Sequence, residues 1–103
     1  MDEVIAEIRA ERLRQIYEEG FGPQHDDCCW SGELAHAAAA YAGFAGAADW
    51  AREEVPEGCP PPQWPWAERF WKPKTRRRDL IRAAALIVAE IERLERAEAR
   101  HAG

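Results

Sequence analysis

Between Val55 and Lys74 the chain reads VPEGCPPPQWPWAERFWKPK, and six of those residues are proline. Each proline fixes its own φ and removes a backbone donor, so no long helix crosses this stretch. Proline is also excluded from the interior of a sheet, and the spacing here does not read as strands. The sequence therefore predicts a long loop over residues 55–74, stiffened by its prolines and in part polyproline II. A loop of that length is uncommon in a compact domain and is often functional.

The segments on either side read as helices. Asp2 to Glu19 keeps helical spacing through Val4, Ile8, Leu13 and Ile16, with Ile5, Arg12 and Glu19 filling one side. Asp2 is placed to cap it, and Gly20, Gly22 and Pro23 end it. Phe21 to Trp30 (FGPQHDDCCW) reads as a loop, and Ser31 as the cap of a second helix running on through GELAHAAAAYAGFAGAADWAREE. Alanine at positions 35, 38, 39, 42, 45 and 48 gives that helix a smooth surface, while Gly43 and Gly46 weaken its continuity past Tyr41. Thr75 caps the last helix, on which Leu80, Ala84, Ile87, Ile91 and Leu94 form an apolar stripe. Carried to the end of the chain, that helix is ~40 Å long. A domain of this size has a radius of gyration of only ~13 Å, so the end projects, frays or meets a second subunit.

The expectation is an all-α single domain over residues 1–103. It has three main helices, the ordered loop at 55–74 and a charged, frayed tail at 95–103. A homo-oligomer is expected through the alanine-rich helix or the projecting last helix.

Composition narrows the function classes. Nearly half the residues are apolar, which argues against wholesale disorder. No apolar run approaches the ~20 residues of a membrane span. The acidic opening MDEVIAEIRAE lacks the basic and apolar regions of an ordinary signal peptide. Three cysteines, two of them adjacent (Cys28, Cys29 and Cys59), do not make a disulfide framework and suit a reduced, cytoplasmic setting. The net charge is −5, with basic residues clustered from Lys72 to Arg82. A local basic patch in an acidic chain suits a small anion better than an extended nucleic acid.

Two constellations carry candidate chemistry. Trp64, Trp66, Phe70 and Trp71 lead into Lys72, Lys74, Arg76, Arg77 and Arg78. Indole faces stack on nucleobases, and guanidinium groups bind phosphate in pairs of hydrogen bonds. Arginines in a helix's first turn oppose its dipole, whereas the free N–H groups there favour an anion. The ligand-binding set is thus Trp64, Trp66, Trp71, Lys72, Lys74, Arg76, Arg77 and Arg78. Alternatively, the tryptophans plug the core and the arginines pair with Asp79 or nearby glutamates. The second constellation is Asp27, Glu33, Asp79 and Glu90, with His25 and Asp26 beside Asp27, as carboxylates for magnesium on a phosphate. Asp79 and Glu90 share a helix face, being eleven residues apart. A zinc site from His25, Cys28, Cys29, His36 and Cys59 lacks a C-x-x-C pair. Glu33 and His36 make a single Glu-x-x-His where a di-iron bundle needs two. No nucleophile triad and no glycine-rich phosphate loop is present.

The segments ERLRQ (Glu11 to Gln15), HDD (His25 to Asp27), GELAHAAAAYA (Gly32 to Ala42), WPW (Trp64 to Trp66), WKPKTRRRDL (Trp71 to Leu80) and AALIVAEIERLER (Ala84 to Arg96) resemble small proteins encoded by bacteriophages and prophages, over nearly the whole chain. That resemblance implies a location in the cytoplasm of a host bacterium. The GELA segment is also similar to the start of the first metal motif of MazG-like all-α nucleoside triphosphate pyrophosphohydrolases. Position 36 is His where that motif has Glu, and the last helix has no Glu-x-x-Asp. Three functions are therefore expected to compete. The first is a phage-type nucleotide binder that sequesters a host signalling nucleotide without turnover, as a counter-defence. The second is a Mg-dependent pyrophosphohydrolase using Asp27, Glu33, Asp79 and Glu90. The third is an interaction module that docks the Trp/Pro loop on a host protein.

Overall fold

The structure is a computed structural model that describes residues 1–102. It is mostly helical, with no strand among the described residues. Five α-helices follow in order: α1 (Asp2–Tyr17), α2 (Pro23–Asp27), α3 (Glu33–Gly46), α4 (Asp49–Glu54) and α5 (Arg76–Ala102), with a single 3-10 turn at Glu68–Phe70. The three long helices are the three expected. No helix among the described residues is long and apolar enough to cross a membrane.

α5 is the spine. α3 lies antiparallel along it: Ala45 and Ala47 meet Arg76, and Tyr41 meets Arg82. α1 lies along another side, where Glu7 meets Arg77 and Glu11 meets Arg78. The core is built where α3 meets α5, from Leu34, Ala37, Ala38, Ala40, Tyr41, Ala83, Leu86 and Ala89, and Trp71 of the loop closes it. Alanine on both helices lets their backbones approach closely. Leu34 and the Trp71 ring supply the bulk that alanine lacks.

Several element ends differ from expectation, each for a local reason. Asp2 is the first helical residue rather than the cap, with its charge on the positive end of the helix dipole. Gly32, not Ser31, occupies the cap position of α3, at φ +87°, a conformation only glycine adopts readily. Ser31 instead donates its N–H to Glu33 Oε1 at 2.7 Å. The expected loop at residues 21–30 contains α2, with Pro23 in its first turn, where a missing N–H costs nothing. The second predicted helix breaks after Gly46 and resumes as α4. Thr75 caps α5 as expected, its Oγ1 accepting the Arg78 N–H at 3.1 Å.

The stripe on α5 lies outward. Leu80, Ile87, Ile91 and Leu94 are each about half exposed, whereas the inward side carries Ile81, Ala83, Ala85, Leu86 and Ala89 together with Asp79, Arg82 and Arg93. α1 is likewise inverted. Glu11, Arg12 and Gln15 are buried, while Ile5, Leu13 and Tyr17 are exposed. α5 continues through the charged tail, where Arg96 and Arg100 hold Asp27 of α2.

Candidate functional site

A cleft of about 230 Å³ opens where α1 and α3 diverge over α5. Its volume is just below the ~300 Å³ at which drug-sized ligand sites begin. Arg82 and Leu86 of α5 line it, and Glu11, Arg14, Gln15 and Glu19 form the α1 wall. Tyr41 faces them from α3, and Phe21, Trp64, Trp66, Phe70 and Lys72 come from the connecting segments.

Local backbone chemistry sets each of these side chains. Gly20, at φ +78°, turns the chain left-handed after α1. The Phe21 N–H can then return to the Gln15 carbonyl at 2.8 Å, which satisfies one of the free carbonyls at the end of α1. Phe21 is thereby delivered to the cleft, where it stacks on His25 at 4.7 Å and meets Trp66 at 5.6 Å. The loop has no ladder partner; its own turns pair some backbone groups, such as Trp64 N–H with the Pro61 carbonyl, and side chains take others. Tyr41 Oη accepts the Lys72 N–H (3.4 Å), and Arg82 donates to the Lys72 carbonyl (2.5 Å). Asp79 Oδ1 accepts the Lys74 N–H (2.8 Å), and Arg52 donates to the Lys74 carbonyl (3.4 Å). Between them stands Pro73, which has no N–H to satisfy. These bonds fix Trp71 on Tyr41, with ring centroids 4.7 Å apart and planes 25° apart. Trp64 packs edge-on against Tyr41, Trp66 and Trp71, and its Nε1–H donates to the Ala67 carbonyl at 3.1 Å.

Charge on the α1 wall is organised around Glu11. Burial pushes its carboxyl up, but bonds from Arg14 Nε and Nη2 (2.7 and 2.8 Å), the charges of Arg14 and Arg78 and a bond from Gln15 (3.2 Å) outweigh burial and hold it below its ordinary value. Arg14 also reaches Glu19 at 2.8 Å, and its guanidinium is held more firmly protonated than usual, first by Glu11. Burial raises the Tyr41 phenol, against the Lys72 N–H that it accepts. Two buried lining residues keep an unpartnered polar atom: Gln15 Oε1 and Arg82 Nε have no hydrogen-bond partner among the described residues. A buried polar atom without a partner is costly and asks for one.

Of the predicted ligand residues, Trp64, Trp66 and Lys72 line the cleft. Trp71 lies beneath them in the core, 5% exposed. Lys74 is exposed at the end of the loop. The three arginines diverge to three different partners. Arg76 donates to the Ala45 and Ala47 carbonyls at the end of α3 (2.7 and 2.6 Å) and pairs with Asp49. Arg77 forms a bidentate pair with Glu7 (2.6 and 2.5 Å), and Arg78 pairs with Glu11.

The predicted metal carboxylates do not converge. Asp27 binds Arg96 and Arg100, and Arg96 above all holds its carboxyl below the usual range. Glu33 accepts the Ser31 N–H, Glu90 pairs with Arg93, and Asp79 is buried at the start of α5. Asp79 and Glu90 lie ~16 Å apart along the helix axis, eleven residues at ~1.5 Å each. No group of three His, Cys, Asp or Glu residues able to hold a metal ion occurs among the described residues. Cys28 and Cys59 are exposed, while Cys29 is buried and its thiol is pushed up to about 11 by burial first.

Sequence reasoning missed the α1 wall, Tyr41, Phe21 and Arg82. The signal lay in ERLRQ, where Glu11 and Gln15 share a helix side away from Leu13. No family model, no curated protein and no solved structure matches the chain.

Proposed function

We propose that the cleft binds a small, planar, nitrogen-containing ring that carries an anionic group, a nucleotide in the first instance, and holds it without turnover. The observation that carries this reading is the gathering of aromatic side chains, Phe21, Tyr41, Trp64, Trp66 and Phe70, around one cleft with Lys72 beside them. Trp64, Trp66 and Tyr41 supply surfaces on which a base gains ~1–3 kcal/mol by stacking. Lys72, also on the cleft, supplies positive charge for a phosphate. The volume favours a mononucleotide or a single base of a larger molecule over a fully enclosed triphosphate. The dispersed carboxylates lend no support to magnesium-dependent hydrolysis. The inward-turned Trp64 and Trp66 lend little to docking of the loop on another protein. The likeness to phage-encoded proteins favours sequestration of a host signalling nucleotide as the use of such a site.

The test is calorimetric titration with mono-, di-, tri- and cyclic nucleotides, with and without Mg²⁺, followed by chromatography of the recovered ligand. Binding of an intact nucleotide is expected, weakened tenfold or more by Trp66→Ala, in line with ~1–3 kcal/mol per stacked base. Affinity unchanged in both Trp66→Ala and Gln15→Leu would remove the cleft as the site.

A further inference from the structure

The charges around the cleft divide by side. On the α1 wall the carboxylates of Glu11, Glu18 and Glu19 surround one guanidinium. Arg14 donates to Glu11 through Nε at 2.7 Å and through Nη2 at 2.8 Å, and Nη2 also reaches Glu19 at 2.8 Å. Its Nη1 lies 3.6 Å from Glu18. All three nitrogens of Arg14 are therefore held by this chain. Arg78 brings a second cation to Glu11, so three carboxylates against two guanidinium groups leave the wall with one negative charge. Glu11 stays ionised there, since Arg14 and Arg78 hold its carboxyl below the ordinary value against the effect of burial.

The other side, where the loop crosses α5, is positive. Neither Lys72 nor Arg82 forms an ion pair among the described residues. Arg82 is 9% exposed, and its Nη1 is spent on the Lys72 carbonyl at 2.5 Å. Asp79, one turn earlier on α5, gives its Oδ1 to the Lys74 N–H instead. Arg82 thus acts through its field from the floor rather than by contact. Lys72 is exposed, and its backbone, not its ammonium, makes the bonds to Tyr41 and Arg82. It is the one cation lining the cleft, among the described residues, that solvent reaches and no carboxylate holds. A cleft of about 230 Å³ is narrower than the ~8 Å over which physiological salt screens charge, so a bound anion feels both sides at once.

We infer that the ligand of the cleft carries a single phosphoryl group, terminal or cyclic, held at Lys72, and that Glu19 repels any further phosphate. The inference rests on the reading of the cleft as a nucleotide site and names the charge class that site accepts. One phosphoryl group finds one free ammonium. A second or third finds no further free cation on the lining and adds its charge to a cleft that already holds the exposed Glu19 carboxylate. The net charge of −5 on the chain also disfavours the approach of a polyanion. Lys72 and Glu19 are therefore the residues that set specificity, one by attraction and the other by repulsion.

Calorimetric titration of the whole chain, without metal ion and at fixed ionic strength, tests it. Adenosine and guanosine are each compared with their cyclic monophosphate, 5′-monophosphate, diphosphate and triphosphate. A monophosphate is expected to bind about fivefold tighter than its nucleoside, the upper end of what one exposed charge pair contributes. The diphosphate and triphosphate should bind no tighter than the monophosphate. Lys72→Gln should bring the monophosphate down to the affinity of the nucleoside and leave the nucleoside unchanged. Both side chains are exposed, so neither variant should lose helix content by circular dichroism. Glu19→Gln should let the triphosphate bind at least as tightly as the monophosphate. A parent protein that binds the triphosphate tightest, or the nucleoside as tightly as the monophosphate, would overturn the inference and leave the cleft as a base-binding site. A monophosphate preference that survives Lys72→Gln would overturn the role of Lys72, and a triphosphate affinity unmoved by Glu19→Gln would overturn that of Glu19. Failure of the underlying reading looks different: no member of either series binds, or binding is indifferent to Trp66→Ala, and the inference then falls with it.

Discussion

The core-facing and outward sides of α1 and α5 are opposite in character to a simple amphipathic pair. Inward, the two helices present Glu11, Arg12, Gln15, Asp79, Arg82 and Arg93 among alanines; outward, they present Ile5, Leu13, Leu80, Ile87, Ile91 and Leu94. The inward polar groups are tolerated because nearly all are paired: Arg12 with Asp26 at 2.5 Å, Glu11 with Arg14 and Arg78, Arg93 with Glu90. Polarity alone therefore does not decide which side is buried. What decides is whether a partner group arrives from elsewhere in the chain, and whether the side is flat enough for another helix to approach.

The comparison breaks most sharply at Arg12. Arg12→Ala leaves the fully buried Asp26 carboxylate without its cation and the Phe21 carbonyl without its 2.8 Å donor. A loss of ~3–5 kcal/mol is expected in urea unfolding, with the double variant Arg12→Leu/Asp26→Leu recovering most of it. A single variant as stable as the parent would mean that the buried pair is not needed to hold α2 on α1. Next in size is the crowding of the alanine side. Ala85→Leu, at a position with no exposure, should cost ~1–3 kcal/mol. Ile87→Ala on the outward side, measured at concentrations dilute enough to keep single chains, should stay within ~0.5 kcal/mol. Equal costs would erase the distinction between the two sides.

The smallest effect separates two buried carboxyls by pH. Asp79 is held above its ordinary value of 3.8, chiefly by burial, so the folded state binds that proton more tightly than the unfolded state. Its contribution is full below that value and declines as pH rises through the folded value. Glu11 is held below its ordinary 4.5, so its contribution is present above that value and declines as pH falls. Asp79→Asn, which keeps an acceptor for the Lys74 N–H, should be neutral or stabilising at pH 7. Glu11→Gln should be destabilising at pH 7 and nearly silent in acid. Thermal melts from pH 3 to pH 8 read both slopes, and parallel curves for the two variants would contradict the assignment.

Much of the fold was legible because its signals are local. Six prolines announced the loop, Thr75 announced the start of α5, and Gly43 with Gly46 announced the break in the second helix. The short α2 was legible in principle from Gly22 and Pro23, but five residues are too few to show a period. The orientation of α5 was not legible. Its stripe of leucine and isoleucine outshines an inward side of alanine whose burial depends on α3. The arginine pairs were invisible because their partners lie far off in sequence, Glu7 and Glu11 for Arg77 and Arg78 at separations of 70 and 67 residues. Trp64, Trp66 and Lys72 were found by residue type. Gln15 and Arg82 were not, because an unpartnered atom is a property of three-dimensional surroundings.

The way the loop is tied down also sets a clock. The Lys72 amide is held by a hydroxyl 31 residues earlier, and the Lys74 amide by a carboxylate on the first turn of α5. The Asp79 anchor is local to the start of α5, whereas the Tyr41 anchor exists only while α3 is docked, so order at Lys72 depends on the core. Native-state hydrogen exchange would see this as two slow amides inside a stretch otherwise poor in protected protons. Lys72 should exchange only as fast as α3 parts from α5, and so report the opening of the core from outside it.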